Sequence, residues 1–264
     1  LAVGVGGILL AVVLLFFEWT GAFAWLWCWL VVTVFLLVVQ VVAPTVIMPL
    51  FNTFTPLESG ALREAIMAYA RTANFPLMGI FVVDGSRRST KANAFFTGLG
   101  RSKRIGLFDT LVQRYTVGEL VAVVAHEIGH YKKGHILKGM ALQIGYIGSL
   151  FYVMSLVLRQ EGLFDAFYMT EMSVYAGLVF FGLLFTPVEL ILSLVVNTVS
   201  RQNEFEADAF AADTTGNGEE LVSALKKLSA DSLTNLTPHP LHVFLHYSHP
   251  PVLQRIEALR AGAP

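Results

Sequence analysis

Two histidines, His126 and His130, stand four positions apart with Glu127 between them in the run Val124-Ala125-His126-Glu127-Ile128-Gly129-His130. On a helix, residues at i and i+4 project to one face, so both imidazoles can reach one tetrahedral zinc ion. Glu127 lies beside that face without being a ligand, where a carboxylate can take a proton from a water that the metal has made acidic and later deliver it to a leaving amine. The chemistry implied is metal-dependent peptide hydrolysis. A helix rich in His and Glu produces the same string by chance, but the preceding residues Leu120 to Ala125 are apolar. The histidines are thus expected on a buried helix, where an imidazole needs a partner.

Such a site needs a third protein ligand. A metzincin would place a histidine ten positions after the first, where this chain has Ile136, and His135 is out of phase. A site-2 type intramembrane protease would offer an Asp-Gly pair after the motif, but Asp84-Gly85 precedes it. Further along the chain stands Ser200-Arg201-Gln202-Asn203-Glu204-Phe205-Glu206-Ala207-Asp208, a polar run after a long apolar one. Glu204 and Asp208 share a helix face, so Glu204 can ligate the metal while Asp208 supports a ligand histidine from behind. Read without the first motif, these charges would simply cap a helix leaving a membrane.

These residues have to be positioned by a largely apolar chain. Of 264 residues 55% are hydrophobic and 14% charged, with a mean hydropathy of +0.63, which points to a bilayer. Four stretches are expected to span it: Val3 to Phe17, Phe23 to Val42, Gly139 to Leu158 and Val174 to Val199. Residue 1 is Leu inside the first run, so the chain is expected to begin within a longer protein; no basic region or cleavage pattern makes that run a signal peptide. Lys and Arg gather between Ala43 and Lys138 and after Val199, with only Arg159 elsewhere, so both polar regions are expected on the cytoplasmic side. A net charge of -1 makes no case for nucleic acid, and the single Cys28 excludes an internal disulfide.

The expected organisation is two N-terminal transmembrane helices in 1–43, a cytoplasmic catalytic region in 44–138, two further spans in 139–199, and the third-ligand helix with a C-terminal catalytic region in 200–264. Within it, Glu58 to Thr72 reads as an amphipathic helix, Gly79 to Val83 as a strand, and Ala92 to Gly98 with Lys103 to Phe108 as two strands joined by a turn at Gly98 to Ser102. The Asn93 to Phe96 segment reads equally as an edge that takes substrate backbone or as a core hairpin. Thr116 and Glu119 form a capping box at the start of the motif helix, which is expected to run toward the third apolar stretch. Glu219 to Ser229 reads as another amphipathic helix. His249, before two prolines, is a loop residue or a donor to an oxyanion; Arg255 binds a carboxylate or is solvated. The fold class is an α-helical integral membrane protein with a zincin-like α+β catalytic domain, a small sheet beside the motif helix.

With Asn93-Ala94-Phe95-Phe96-Thr97-Gly98, Arg104 to Leu111, the two metal motifs and His246-Tyr247-Ser248-His249-Pro250-Pro251, the chain resembles the CAAX prenyl protease 1 family of integral-membrane zinc metalloproteases, in order from about Pro49 to Ala258. The resemblance implies one zinc on His126, His130 and Glu204, Glu127 as general base, Asp208 as proton donor, and His249 and Arg255 facing the cleft, with Asn93 helping to hold the substrate strand. It also implies seven spans around an intramembrane chamber. Eukaryotic members remove the last three residues after a prenylated cysteine. The Ala- and Leu-rich composition would equally suit a bacterial homologue acting on other membrane proteins, so the expected location is the endoplasmic reticulum or a bacterial inner membrane. An HtpX-like quality-control protease and a silent membrane scaffold are the alternatives; the His-Tyr-Ser-His-Pro-Pro string argues against the first and Glu127 against the second.

Overall fold

A computed structural model describes residues 2–19, 21–87, 93–97 and 103–262. The chain divides into two compact units, Leu1–Gln40 with Lys138–Val195, and Val41–Leu137 with Val196–Pro264.

The first unit is all helix. It contains α1 (Ala2–Trp19) and α2 (Ala24–Val42) up to Gln40; a π turn (Ala43–Ile47) and the short α3 (Met48–Phe51), which continue α2, belong to the second unit. His135 at the start of α7 (His135–Val157) also belongs to the second unit, while α7 from Lys138 on, the short α8 (Glu161–Ala166), α9 (Val174–Leu184) and α10 (Thr186–Thr215) as far as Val195 complete the first. Its interior is Val13, Cys28, Ile147, Phe151, Met154, Phe181 and Phe185. Among the described residues, two helical stretches are long and apolar enough to cross a bilayer, Ala24–Phe51 and His135–Val157. Val3–Phe17 is a shorter apolar helix. The expected span Val174 to Val199 is not one helix: α9 and α10 meet at a 55° bend. Pro187 opens α10, and a proline has no N–H to bond back into α9 and disfavours helix in the residue before it.

The second unit holds a four-stranded sheet of order β1-β2-β4-β3, built from β1 (Phe54–Pro56), β2 (Leu77–Val83), β3 (Ala94–Thr97) and β4 (Lys103–Phe108). β2 and β4 run parallel; β1 on β2 and β3 on β4 are antiparallel. The expected β3/β4 hairpin is present with Phe95 opposite Gly106, while its turn at 98–102 lies outside the described residues. β1 has no sequence signal, being three residues ending in Pro56. The helices are α4 (Ala61–Thr72), α5 (Asp109–Arg114), α6 (Val117–Lys132), the polar end of α10, α11 (Gly218–Asp231), α12 (Pro240–His246) and α13 (Val252–Ala261). α12 is a seven-residue helix in a stretch where the sequence reading gives no helix.

α6 carries the first motif. Leu120, Val124 and Ile128, one turn apart, are buried among Ile66, Ile80, Ile105, Leu107, Leu111, Leu221 and Leu225. Each such side chain stabilises the fold by about 1.5–3 kcal/mol, so α6 is held over much of its length. Its start is the predicted box: Thr116 Oγ1 accepts from Glu119 N at 3.2 Å, and Glu119 Oε2 accepts from Thr116 N at 2.8 Å. Glu119 also accepts from Lys227 Nζ at 2.7 Å and Ser223 Oγ at 2.6 Å, tying α11 to α6. Burial raises the Glu119 carboxyl, but these donors outweigh it and hold it below the usual carboxylate range. Glu119→Ala is therefore expected to destabilise the fold by about 2 kcal/mol, the sum of a lost cap and a lost buried charged hydrogen bond. Because the folded pKa is depressed, this contribution is present above the unfolded carboxyl value of about 4.3 and is lost as pH falls through the folded one. Melting curves of both proteins between pH 3 and 7 should converge at the acid end.

Candidate metal centre

α6 runs past His130, as expected, and ends at Lys132. Its C-cap is Lys133, and Gly134 takes the left-handed conformation at φ +71°, which glycine adopts without strain. On the last turns of α6 stand His126, Glu127 and His130. Glu204 and Asp208 stand one turn apart on α10, buried with Ala207 and Ala211. The two helices approach closely because position 129 is glycine: a Cβ there would lie 3.1 Å from both Cα and O of Ala207. Gly129→Val would force these backbones apart, and we expect it to cost about 1–3 kcal/mol and to lower bound metal well below that of the unsubstituted protein, as measured by metal analysis and thermal melting.

The motifs converge on one point. His126 Nε2 and His130 Nε2 are 3.1 Å apart, and Glu204 oxygens lie 3.6 Å from the first and 3.5 Å from the second. Donors bound tetrahedrally at about 2.0–2.1 Å from one ion are about 3.3 Å from each other, so this set fits a single small cation. His126, His130 and Glu204 are also the one cluster among the described residues with the donors for a metal. Burial and then the neighbouring His126 push the His130 pKa down to about 4, which keeps its ring neutral and its lone pair available. Burial raises the Glu127 carboxyl above its ordinary value, against the pull of His126.

Asp208 Oδ1 accepts from His126 Nδ1 at 2.8 Å, leaving Nε2 for the metal. Arg255, on α13, donates to both oxygens of Asp208, Nη2 at 2.6 Å and Nε at 2.7 Å, and Nη1 lies 3.0 Å from Glu204. Its guanidinium is thus engaged by two site carboxylates. His249 Nδ1 lies 3.0 Å from Glu204 Oε1 with a side chain 68% exposed, and that carboxylate raises its pKa. Asn93 is exposed just before β3; its carbonyl accepts from Phe108 N and its side-chain oxygen from Ala94 N. β3 is an outer strand of the sheet and packs against α6.

Two groups escaped the sequence reading. Arg201, counted there only as a charge beside a helix end, donates to the carbonyls of Tyr247 at 2.7 Å and Val243 at 3.4 Å, fixing the segment that leads to His249. His135 is buried and in hydrogen-bond contact with His130.

A His-Glu-x-x-His helix, a glutamate from a second helix and a small mixed sheet alongside are the arrangement of a zincin-like metallopeptidase domain. More narrowly, the chain belongs to peptidase family M48, whose model matches residues 56–263. A model described as "CAAX prenyl protease N-terminal, five membrane helices" matches residues 1–53, which makes this a multi-pass membrane protein. Among similar proteins, a CAAX prenyl protease 1 homolog of Dictyostelium discoideum is 39% identical over 259 residues, covering 97% of this chain and 60% of the relative. CAAX prenyl protease 1 of Saccharomyces cerevisiae is 37% identical over 280 residues, covering 98% and 60%. The crystal structure of S. mikatae Ste24p superposes with a TM-score of 0.84 at 36% identity, covering 98% of this chain and 63% of that one. The chain thus spans about three fifths of the length of these relatives.

Proposed function

We propose that this chain carries the catalytic centre of a membrane-embedded zinc metalloendopeptidase that removes the C-terminal tripeptide from prenylated proteins. The observation that supports it best is the His126, His130 and Glu204 donor set beside Glu127. Two imidazoles and one carboxylate in a tetrahedral spacing suit Zn2+, one per chain, and the ion when bound supplies Lewis-acid polarisation. Glu127 accepts the proton of the water that attacks the scissile carbonyl and passes it to the leaving amine, a task its upward-shifted pKa serves. Asp208 acts through His126, whose ring it orients, and Arg255 holds Asp208 and Glu204 in place. His249, at the exposed side of Glu204, donates to the developing oxyanion. The outer edge of β3, beginning at Asn93, takes the substrate backbone as an added strand.

The prenyl specificity rests on the likeness to relatives named CAAX prenyl protease 1. The Lys and Arg distribution supports a cytoplasmic active site, with the bilayer as the protein's other partner. The test is zinc analysis of the detergent-purified protein together with cleavage of a farnesylated CAAX peptide and of the same peptide without its lipid. Preference for the farnesylated peptide is expected; equal cleavage of both would overturn the prenyl specificity, and absence of zinc would overturn the metallopeptidase reading.

A further inference from the structure

His135 and Glu206 have no part in the centre described above, yet they connect to it. His130 Nδ1 lies 3.0 Å from His135 Nδ1, and His135 Nε2 lies 3.0 Å from Glu206 Oε2. The His135 side chain is 3% exposed and that of Glu206 46%. We infer that His135 is a positioning residue which, anchored by Glu206, fixes the ring and tautomer of His130 so that Nε2 is presented to the metal. This inference rests on the metal-centre reading.

The argument is one of donors and acceptors. A carboxylate only accepts, so the proton between Glu206 and His135 belongs to His135 Nε2. A neutral imidazole that donates at Nε2 accepts at Nδ1, so the proton between the two histidines belongs to His130 Nδ1. His130 Nε2 is then left with its lone pair, and it is this nitrogen that faces His126 Nε2 and Glu204. The opposite order of donors would place a proton on the nitrogen the metal needs.

The other ligand histidine obeys the same logic by a shorter route. His126 Nδ1 donates directly to Asp208, itself held by Arg255. Both imidazoles are therefore backed at Nδ1 by a carboxylate of α10, Asp208 by contact and Glu206 through His135. Backing of this kind typically changes metal affinity by about 10- to 100-fold. Because Glu206 is half-exposed and water can replace it, its removal should matter less than that of His135.

The test uses the detergent-purified full chain, loaded with Zn2+ or Co2+ and titrated against a chelator, with the Co2+ absorption spectrum recorded and the melting temperature of the metal-free protein measured alongside. We expect His135→Leu to weaken metal binding about 10- to 100-fold and to alter the Co2+ spectrum. His135→Asn, which keeps an acceptor near the place of Nδ1, should recover most of the loss. Glu206→Ala should weaken binding by a smaller factor and add nothing in the His135→Leu background. If the unsubstituted protein binds neither ion, the metal-centre reading itself fails. If it binds and His135→Leu binds as tightly with the same spectrum, the positioning role is overturned. Factors that multiply in the double variant would show that Glu206 does not act through His135. Should His135→Leu not fold, His135→Asn and Glu206→Ala decide: unchanged affinity in Glu206→Ala, or no better binding by His135→Asn than by His135→Ala, overturns the inference.

Discussion

Glu127→Gln is expected to lower kcat for peptide cleavage by about 10²- to 10⁴-fold, the usual contribution of a positioned general base, while metal content stays at that of the unsubstituted protein. Glutamine keeps the shape of the side chain but cannot accept and return a proton. Glu127 stands outside the donor set of His126, His130 and Glu204, so its removal leaves the ligands in place. Metal analysis and single-turnover cleavage on the same preparation separate the two effects. Loss of activity together with loss of metal would instead assign Glu127 a part in holding the ion, and retained activity would remove it from the proton transfer altogether.

Arg255→Leu should have the largest effect on stability. The arginine side chain is 12% exposed and compensates two carboxylates, Glu204 at 8% and Asp208 at 3%. Taking away one partner of a buried ionic group strands the others in a low-dielectric site, and the cost is about 3–5 kcal/mol. Leucine fills part of the volume, so what is lost is chiefly charge compensation. A cation on Glu204 replaces some of that compensation, so the deficit should be larger in chelator than with zinc added, by the ordinary linkage between binding and folding. Thermal melts of both proteins with EDTA and with zinc would show it; an equal deficit in both conditions would mean that Arg255 does not share Glu204 with the metal.

The residues that converge in the candidate centre were legible because they obey helical spacing. His126 and His130, and again Glu204 and Asp208, are pairs at i and i+4, and the chain supplies the apolar flanks that bury them. The capping box at Thr116, the amphipathic α4 and α11, and the β3/β4 hairpin were legible for the same reason: each is a local pattern whose partners lie within a few residues. Where the reading departed from the structure, the cause was Pro187 at the α9/α10 bend and, for β1 and α12, contacts between distant segments. The bend between α9 and α10 interrupts a run of hydrophobicity that composition alone reads as one span. β1 exists only because β2 offers an edge for it, and α12 is a short helix whose segment Arg201 and Asn197 hold by its carbonyls.

His135 makes the distinction most clearly. On an unbroken helix five residues turn through about 140° relative to the starting face, so sequence spacing sets His135 away from His130. The left-handed Gly134 ends α6 and restarts the chain, and the ring of His135 comes back to within 3.0 Å of His130 while Glu206 arrives from α10. By itself the sequence determined the spacing of the candidate ligand residues, the membrane character and the family, because these are properties of residue identity and helical period. Only the tertiary structure decided which charges are spent on one another, as Arg255 is on Asp208 and Glu204, and which side chain meets Nδ1 of each motif histidine, because a hydrogen bond depends on angstrom-scale approach between segments far apart in the chain.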